Sequence, residues 1–432
     1  MSSRKSKEWN RLDNAAKLFP HAANQRDTKV FRFACQLREA VDGAVLQQAL
    51  DEALEQYPLF RSVLKHGLFW YYLERSNLQP EVREECRPPC APLYDKNRKS
   101  LLFEVSYYHN RINLEVFHAL SDGTGALQFL RTLVAHYIAL RHPKAFPEGA
   151  PILDYDASHE EKDEDSFQKY YLPDQKYQKT KQEPAYRIRG TWLPEGRMKV
   201  IEGVISTSQA LDLARRQNTT LTVYLVSLLL ISIHKEMALR HRTKPVVLSI
   251  PVNLRNYFDS GTARNFFGVM YIRYDFSKNS GELADVMAYV AESFKKELTP
   301  DTLTRRMSAL TRMEHNYAAR AVPLAIKDVI LRIVGKLAGK SITSAFSNVG
   351  RITMPPQLEP YIELFDVFVS TDKLQTCVCS FGDKLTISFS SAFVGTEIQK
   401  NFFRALSAQG ISVSILSNAM DEDTEEARHE AM

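Results

Sequence analysis

A histidine followed by a glycine-containing turn is the group of residues in this chain best suited to chemistry. The segment His118-Ala119-Leu120-Ser121-Asp122-Gly123 comes directly after Ile112-Asn113-Leu114-Glu115-Val116-Phe117. Strand side chains alternate between faces, so His118 is predicted to share a face with three apolar residues of a strand. His118 would then end a buried strand beneath a turn, where a neutral imidazole can accept a proton near pH 7.

The spacing of the histidine and the aspartate carries little information by itself. His159 and Asp163 have the same spacing, but they lie in a charged stretch with no preceding strand and no following glycine. The strand and the glycine turn therefore favour His118 as the functional histidine. A histidine at the end of a buried strand can also be purely structural, and the residues alone leave that alternative open.

The hydrophobic pattern predicts alternating helices and strands, and hence an α/β protein. Apolar residues from Leu46 to Tyr57 follow helical spacing after Asp42, the predicted N-cap, and a second helix has its apolar face from Leu127 to Ile138. Strands are predicted at Phe69–Leu73, Leu101–Tyr107, Ile112–Phe117, Lys199–Ile205, Val246–Val252, Gly268–Phe276, Phe365–Ser370, Thr376–Phe381 and Leu385–Ser390. Further helices are predicted at Ser208–Gln217, Leu221–Arg240, Glu282–Glu297, Pro323–Ala338 and Gly395–Ser407.

The composition changes in the middle of the chain, over residues 151–189. This stretch contains the charge run from His159 to Asp165 and has little apolar periodicity. We interpret it as an exposed crossover between an N-terminal domain, residues 1–150, and a C-terminal domain, residues 190–415. Residues 416–432 contain an acidic run and are predicted to form a disordered tail.

Composition argues against several classes of protein. The net charge of +5 over 432 residues fits anionic substrates such as a nucleotide-linked thioester and does not indicate nucleic-acid binding. The five cysteines lack zinc-site spacing, so no metal site is predicted, and reduced thiols of a cytoplasmic protein are expected. No signal peptide is seen, and the most apolar run, Leu221 to His234, is shorter than the about 20 residues of a membrane span.

The segment around His118 resembles the HxxxDG motif of the chloramphenicol acetyltransferase-like superfamily. This group includes condensation domains of peptide synthetases, plant BAHD acyltransferases and bacterial alcohol acetyltransferases. Other family-like segments follow in the family's order, over nearly the full chain from residue 9 to residue 410. They are Gln56-Tyr57-Pro58-Leu59-Phe60-Arg61, Asn218-Thr219-Thr220, Pro251-Val252-Asn253-Leu254-Arg255, Asn265-Phe266-Phe267-Gly268 and Ser347-Asn348-Val349-Gly350.

The resemblance implies two α/β sandwich domains, each a mixed sheet covered by helices, with the active site at their interface. It implies that His118 takes a proton from an acceptor as the acceptor attacks a thioester carbonyl, without a covalent intermediate. Asp122 is expected to be structural and to pair with Arg255, whose guanidinium suits a buried carboxylate. Gly123 is expected to permit a tight turn and close approach of the substrate.

Two features of the family are missing from the sequence. The segment Leu364-Phe365-Asp366-Val367 resembles the plant DFGWG motif only weakly. Phe117 stands where condensation domains usually carry a second histidine. Peptide-bond synthesis on carrier proteins is therefore less favoured than simple acyl transfer.

Two further segments have both a structural and a functional interpretation. Ser347 and Asn348 can donate to an oxyanion, or they can simply close a strand turn. The helix predicted at Pro323–Ala338 carries cations opposite an apolar face. We interpret it as a surface helix over the core, with contact to CoA phosphates or to a membrane surface as the alternative.

The sequence predicts an acyltransferase that moves an acyl group from acyl-CoA, its cosubstrate, to a small-molecule alcohol. No tightly bound cofactor is expected. The alternatives are an amine acceptor, a donor bound to an acyl-carrier protein, and a non-catalytic binding protein on the same scaffold. The presence of His118, Asp122, Gly123 and Arg255 together argues against a chain that has lost its activity.

Overall fold

The computed structural model describes residues 9–153, 159–162, 164–173, 183–315 and 321–418. The strands are β1 (Trp9–Arg11), β2 (Val30–Leu37), β3 (Ser62–His66), β4 (Tyr71–Arg75), β5 (Arg83–Glu84), β6 (Phe103–Tyr108), β7 (Arg111–Phe117), β8 (Lys199–Ser206), β9 (Val246–Asn253), β10 (Phe267–Tyr274), β11 (Ser344–Arg351), β12 (Ile362–Val369), β13 (Leu374–Phe381), β14 (Lys384–Ser391) and β15 (Ser414–Ser417). The helices are α1 (Phe19–Ala22), α2 (Gly43–Gln56), α3 (Gly123–Arg141), α4 (His159–Lys162), α5 (Ser166–Lys169), α6 (Thr207–Arg216), α7 (Leu221–Lys235), α8 (Leu283–Glu297), α9 (Pro300–His315), α10 (Leu324–Gly339) and α11 (Glu397–Ser407).

The strand that precedes His118 lies at the centre of a five-stranded sheet with the order β12-β2-β7-β6-β5. Strand β7 pairs antiparallel with both β2 and β6. Helix α3 packs against β2 and β7, and α2 packs against α3. Every residue of β7 after Arg111 is buried. Glu115 of β7 is therefore not solvated but paired with Arg32 at 2.7 Å.

A seven-stranded sheet with the order β10-β9-β11-β13-β14-β8-β15 forms the centre of the second half. It is mixed, because β11 runs parallel to β9 and β13 while the other pairs are antiparallel. Helix α7 packs between this sheet and α8 and α11. Leu225, Leu229 and Ile233 on α7 are fully buried, which confirms the interpretation of this apolar run as a core helix. No helix in the described part of the chain is long and apolar enough to cross a membrane.

Strand β12 comes from the second half of the chain but belongs to the first sheet. It pairs antiparallel with β2, with Asp366 opposite Ala34. Asp366 is buried, and its carboxylate accepts a hydrogen bond from Ser388 on β14 of the other sheet. Burial and the nearby Glu202 carboxylate raise the pKa of Asp366 well above its usual range. The domain boundary at residue 190 stays a prediction, and β12 shows that the second half also completes the first sheet.

Most predicted helices and strands are present with end points shifted by a few residues. The carboxylate of Asp42 accepts hydrogen bonds from the amides of Ala44 at 2.9 Å and Val45 at 3.2 Å, which confirms the predicted N-cap. Strand β2 and helix α9 were not predicted. The sequence did not reveal β2 because this strand is buried along nearly all its length and lacks the alternation of apolar and polar residues of a half-exposed strand. It did not reveal α9 because this helix is rich in charged and hydroxyl residues.

The described middle part of the predicted crossover, residues 151–189, is largely exposed or half-buried but is anchored at one point. Phe167 on α5 is almost completely buried and packs with Leu254 and Phe266, which lie near β9 and β10. A short apolar anchor inside a charged stretch gives no periodic signal, so the sequence did not reveal it. Asp163 and residues 419–432 lie outside the described residues, and residues 416 and 417 of the predicted tail form the end of β15.

Candidate active site

His118 lies directly after β7 in a box of aromatic rings. Its amide donates to the carbonyl of Lys29 at 2.9 Å, which fixes the backbone where β2 begins. Phe19 of α1 stacks on the imidazole, with ring centroids 4.3 Å apart and planes at 13°. Phe31 and Phe267 complete the box, with centroids 4.9 Å and 5.5 Å from that of His118. The ring is thus held by elements from both halves of the chain.

The surroundings of His118 favour the neutral imidazole. Burial lowers the pKa of His118 below its ordinary value of 6.5, because the charged form loses hydration among the aromatic rings. The Asp122 carboxylate and the hydrogen bond to Asn265 oppose this shift and limit it. At pH 7 the imidazole is therefore unprotonated on one nitrogen. The residue also keeps partial solvent exposure, as a base that must meet a substrate requires.

The side chain of Asn265 determines which nitrogen of His118 carries the proton. Asn265 Nδ2 donates to a carboxylate oxygen of Asp13 at 3.2 Å, and the Asn265 amide N–H donates to the same oxygen at 3.3 Å. Asn265 Oδ1 therefore faces His118 Nδ1, 3.1 Å away, and accepts its N–H. The lone pair is left on Nε2. Within the described residues, Nε2 forms no hydrogen bond.

Asp13 is the buried end of this chain of hydrogen bonds. Burial raises the pKa of Asp13 to about 6, while the guanidinium of Arg264, 3.9 Å away, opposes the shift. The carboxylate is therefore mostly ionised at pH 7. It also accepts a hydrogen bond from the amide of Ala16 at 2.7 Å, in the turn that leads to Phe19. Asp13 thereby holds both Asn265 and the segment that stacks on His118.

Asp122 is buried and makes no hydrogen bond to His118. One carboxylate oxygen caps α3 by accepting from the amides of Thr124 at 3.1 Å and Gly125 at 3.0 Å. The other accepts from the amide of Phe266 at 2.8 Å. Arg255 donates to both oxygens, at 2.8 Å and 3.3 Å. The structure thus brings together the two residues that the resemblance paired.

Arg255 uses its remaining donors on the connection between β9 and β10. Its guanidinium donates to the carbonyls of Thr262 at 2.8 Å and Arg264 at 2.6 Å. The segment that contains Asn265 is therefore fixed on one side by Arg255 and on the other by Asp122, through the amide of Phe266. Besides the electrostatic effect of Asp122 on the imidazole, the pair acts on His118 by holding Asn265 beside Nδ1.

Close packing requires a glycine at position 125 and not at position 123. Gly123 has no positive φ, and a Cβ there would meet only Phe33 at 3.8 Å, an ordinary contact. A Cβ on Gly125 would lie 2.0 Å from the carbonyl oxygen of Ala263 and 2.4 Å from Ser121 Oγ. The tight-turn role expected for Gly123 is therefore wrong. The close approach occurs at Gly125, where the start of α3 meets the connection between β9 and β10.

Ser347 and Asn348 lie on β11. The Asn348 side chain is exposed, donates to Thr222 Oγ1 at 2.8 Å and accepts from the amide of Gly350 at 2.8 Å. In the described part of the chain, neither residue forms a hydrogen bond with His118. Their contribution to oxyanion binding stays a prediction.

Two clefts of the described surface lie away from the imidazole. One, of about 900 Å³, is lined by Arg131, Phe146 and Met354 among others, and His118 is not part of its wall. A site is defined by groups that can do chemistry and not by volume, and the hydrogen-bonded histidine is such a group. Among the described side chains, no group of three potential ligands is arranged to hold a metal ion.

Comparison with known proteins identifies the fold. No family model and no curated protein matches the sequence. Solved structures do match: TRI3 trichothecene 15-O-acetyltransferase from Fusarium sporotrichioides has a TM-score of 0.61 and 13% identity over 93% of this chain and 94% of that one. TRI101 from F. sporotrichioides, complexed with coenzyme A and T-2, has a TM-score of 0.60 and 12% identity over 94% of this chain and 99% of that one. The first condensation domain of the calcium-dependent antibiotic synthetase has a TM-score of 0.59 and 14% identity over 93% of this chain and 95% of that one.

The chain therefore has the chloramphenicol acetyltransferase-like fold of these structures, which confirms the predicted fold class. The sequence did not point to Asp13, Phe19 or Phe31 as parts of the site, since they lie about 90 residues or more before His118 and carry no local motif. A signal for Asn265 was present, because Asn265-Phe266-Phe267-Gly268 stood out as a family-like segment. The hydrogen bond of Asn265 to His118 depends on the tertiary structure, which brings the two residues together.

We expect Gly125→Ala to lower the free energy of unfolding by about 1–3 kcal/mol or more, because the new methyl group would overlap a backbone carbonyl that cannot rotate away. Urea unfolding followed by circular dichroism would measure the change. Gly123→Ala is the matched control: it adds a methyl group two residues earlier in ordinary contact and should be neutral or slightly stabilising. Equal effects of the two substitutions would contradict this assignment of the close approach.

Proposed function

We propose that the protein transfers an acyl group from acyl-CoA to a hydroxyl group, with His118 Nε2 as general base. The observation that carries this proposal is the hydrogen bond between His118 Nδ1 and Asn265 Oδ1, which leaves the lone pair on Nε2. Burial of the imidazole keeps it neutral at pH 7, the form that accepts a proton. The fold is shared with acetyltransferases and a condensation domain, which supports acyl transfer without defining the substrates.

The chemistry follows from a neutral imidazole next to a thioester. Nε2 takes the proton of the acceptor hydroxyl while the acceptor oxygen attacks the thioester carbonyl carbon. The resulting tetrahedral oxyanion collapses, the carbon–sulfur bond breaks, and the imidazolium returns the proton to the leaving thiolate. Asn265 Oδ1 accepts from Nδ1–H throughout and stabilises the transient positive charge. The apolar rings of Phe19, Phe31 and Phe267 keep the imidazole largely dry, which disfavours hydrolysis of the thioester.

Coenzyme A is the donor carrier that the available observations favour. One structure with the same fold, TRI101, is a complex with coenzyme A. The net charge of +5 also suits an anionic nucleotide-linked thioester. A condensation domain has the same fold. The experiments must therefore distinguish an acyl-CoA donor from an acyl group bound to a carrier protein.

We expect His118→Ala to reduce the rate of acyl transfer by about 100-fold or more, the usual scale for loss of a general base. The pure protein is incubated with a panel of acyl-CoAs and alcohols, and release of free thiol is followed with a thiol-reactive dye. Mass spectrometry then identifies the acylated product. His66→Ala, at an exposed position on β3, is the control and should leave the rate unchanged.

Four results would change the proposal. Near-normal turnover of His118→Ala, with unchanged folding, would remove the histidine from the mechanism. Thiol release with amines only would change the acceptor class. Binding of acyl-CoA without thiol release from any acceptor would favour a binding protein, and reaction only with carrier-bound acyl groups would replace the donor.

We expect Asn265→Ala to lower kcat about 10- to 100-fold with little change in KM, because the imidazole loses the acceptor that fixes its orientation and tautomer. The acid limb of kcat/KM against pH lies below pH 6.5 in the unsubstituted protein, since burial lowers the pKa of His118. The bond to Asn265 raises that pKa, so its loss should move the limb to still lower pH. Asn256→Ala, at an exposed position in the same connection, is the control. A reduced kcat with an unmoved acid limb would show general distortion instead of a positioning role.

A further inference from the structure

Helix α10 presents its apolar side to solvent, opposite to the orientation that its sequence pattern predicts. Ile326, Ile330, Ile333 and Leu337 are 50–56% exposed, and Val329 and Val334 beside them are 54% and 53% exposed. These six residues follow the spacing of one helix face. The interpretation of α10 as a surface helix whose apolar face covers the core is therefore wrong.

Polar residues anchor the inner side of α10. Lys327 is buried: its ammonium group donates to the carbonyl of Phe69 at 3.1 Å and lies 3.4 Å from the ring centroid of Trp70. Asp328 accepts from Lys96 at 3.0 Å and from the Tyr71 hydroxyl at 3.3 Å. These contacts fix the rotation of the helix about its axis. The apolar side therefore faces outward because the charged side is held inward.

Unpaired cations accompany the exposed apolar face. Arg332, Lys336 and Lys340 are exposed, and none of them forms an ion pair with a residue that the structure describes. Asp328, the one carboxylate of the helix, is turned inward and is paired there. Leu68, which is 72% exposed, adds to the apolar surface, because its carbonyl accepts from the amide of Leu324 at the start of α10. The surface combines a broad apolar stripe with positive charge.

We propose that α10 docks the protein on an anionic lipid membrane, lying in the plane of the interface. The stripe defined by Ile326, Val329, Ile330, Ile333, Val334 and Leu337 would enter the boundary between headgroups and acyl chains, and the three cations would meet the lipid phosphates. The helix has 16 residues and does not span a bilayer. A symmetric pair of copies would cover the stripe equally well, but it would bring identical unpaired cations together across the two-fold axis.

The docking helix borders the candidate site. Asp328 also pairs with His21 of α1, and Phe19 at the start of α1 stacks on His118. Among the described residues, helix α1 therefore contacts both the inner side of α10 and the imidazole of His118. Docking would therefore bring membrane-dissolved molecules close to His118, although the docking itself does not depend on the proposed acyl transfer.

The test uses the full chain without substrate. The protein is sedimented with vesicles of phosphatidylcholine alone and with vesicles of phosphatidylcholine and phosphatidylglycerol. We expect binding to the second kind that weakens with salt. Neutralising two cations, Arg332→Gln with Lys336→Gln, should weaken binding roughly 30-fold, since each cation near an anionic surface contributes about 1 kcal/mol. Ile330→Glu with Ile333→Glu should abolish binding.

A matched pair of substitutions controls for loss of surface hydrophobicity. Leu239→Glu with Leu416→Glu replaces two other exposed leucines, 78% and 48% exposed, and should leave vesicle binding unchanged. Unfolding midpoints of all variants establish that they fold. The proposal is overturned if the unsubstituted protein stays in the supernatant with both kinds of vesicle, or if the control pair loses binding to the same degree. It is also overturned if light scattering shows a dimer that Ile330→Glu with Ile333→Glu dissociates, because the stripe is then covered by a second copy.

Discussion

The candidate site depends on one buried carboxylate, that of Asp122. It accepts hydrogen bonds from the first turn of α3, from the amide of Phe266 and from both ends of the Arg255 guanidinium fork. Burial of a carboxylate is costly unless its lone pairs are satisfied, and here both oxygens are shared between charged and amide donors. The start of α3 and the connection between β9 and β10 are thereby held together. That link holds the backbone beside Asn265, and Asp13 fixes the Asn265 side chain.

The environment of His118 balances two opposed requirements. A base must be neutral at pH 7, and the aromatic box meets this requirement because it removes water from the imidazolium form. The same box would make proton uptake too unfavourable if nothing stabilised the charge. Asn265 and, at longer range, Asp122 supply that stabilisation. Asp13 fixes the Asn265 amide and so decides which nitrogen of the ring remains a base.

Polar side chains inside the protein also help to orient helices and strands. On α10, Lys327 and Asp328 hold the helix to the protein and leave its apolar stripe exposed. Between the sheets, Asp366 on β12 meets Ser388 on β14, with Glu202 of β8 nearby. In both places, a few directional contacts between polar side chains help to specify the geometry. Patterns of hydrophobicity in the sequence do not predict such contacts.

The sequence by itself determined the α/β class, most helices and strands, and the place of His118 at the end of a buried strand, because these features follow from local periodicity and turn residues. It also singled out Asp122 and Arg255, through a resemblance that spans nearly the whole chain. Only the tertiary structure decided that Gly125 and not Gly123 makes the close approach, and that Asn265 and Asp13 define the tautomer. It also decided that α10 turns its apolar face outward. Each of these depends on a contact between residues far apart in the chain, whose partners no local pattern of residues specifies.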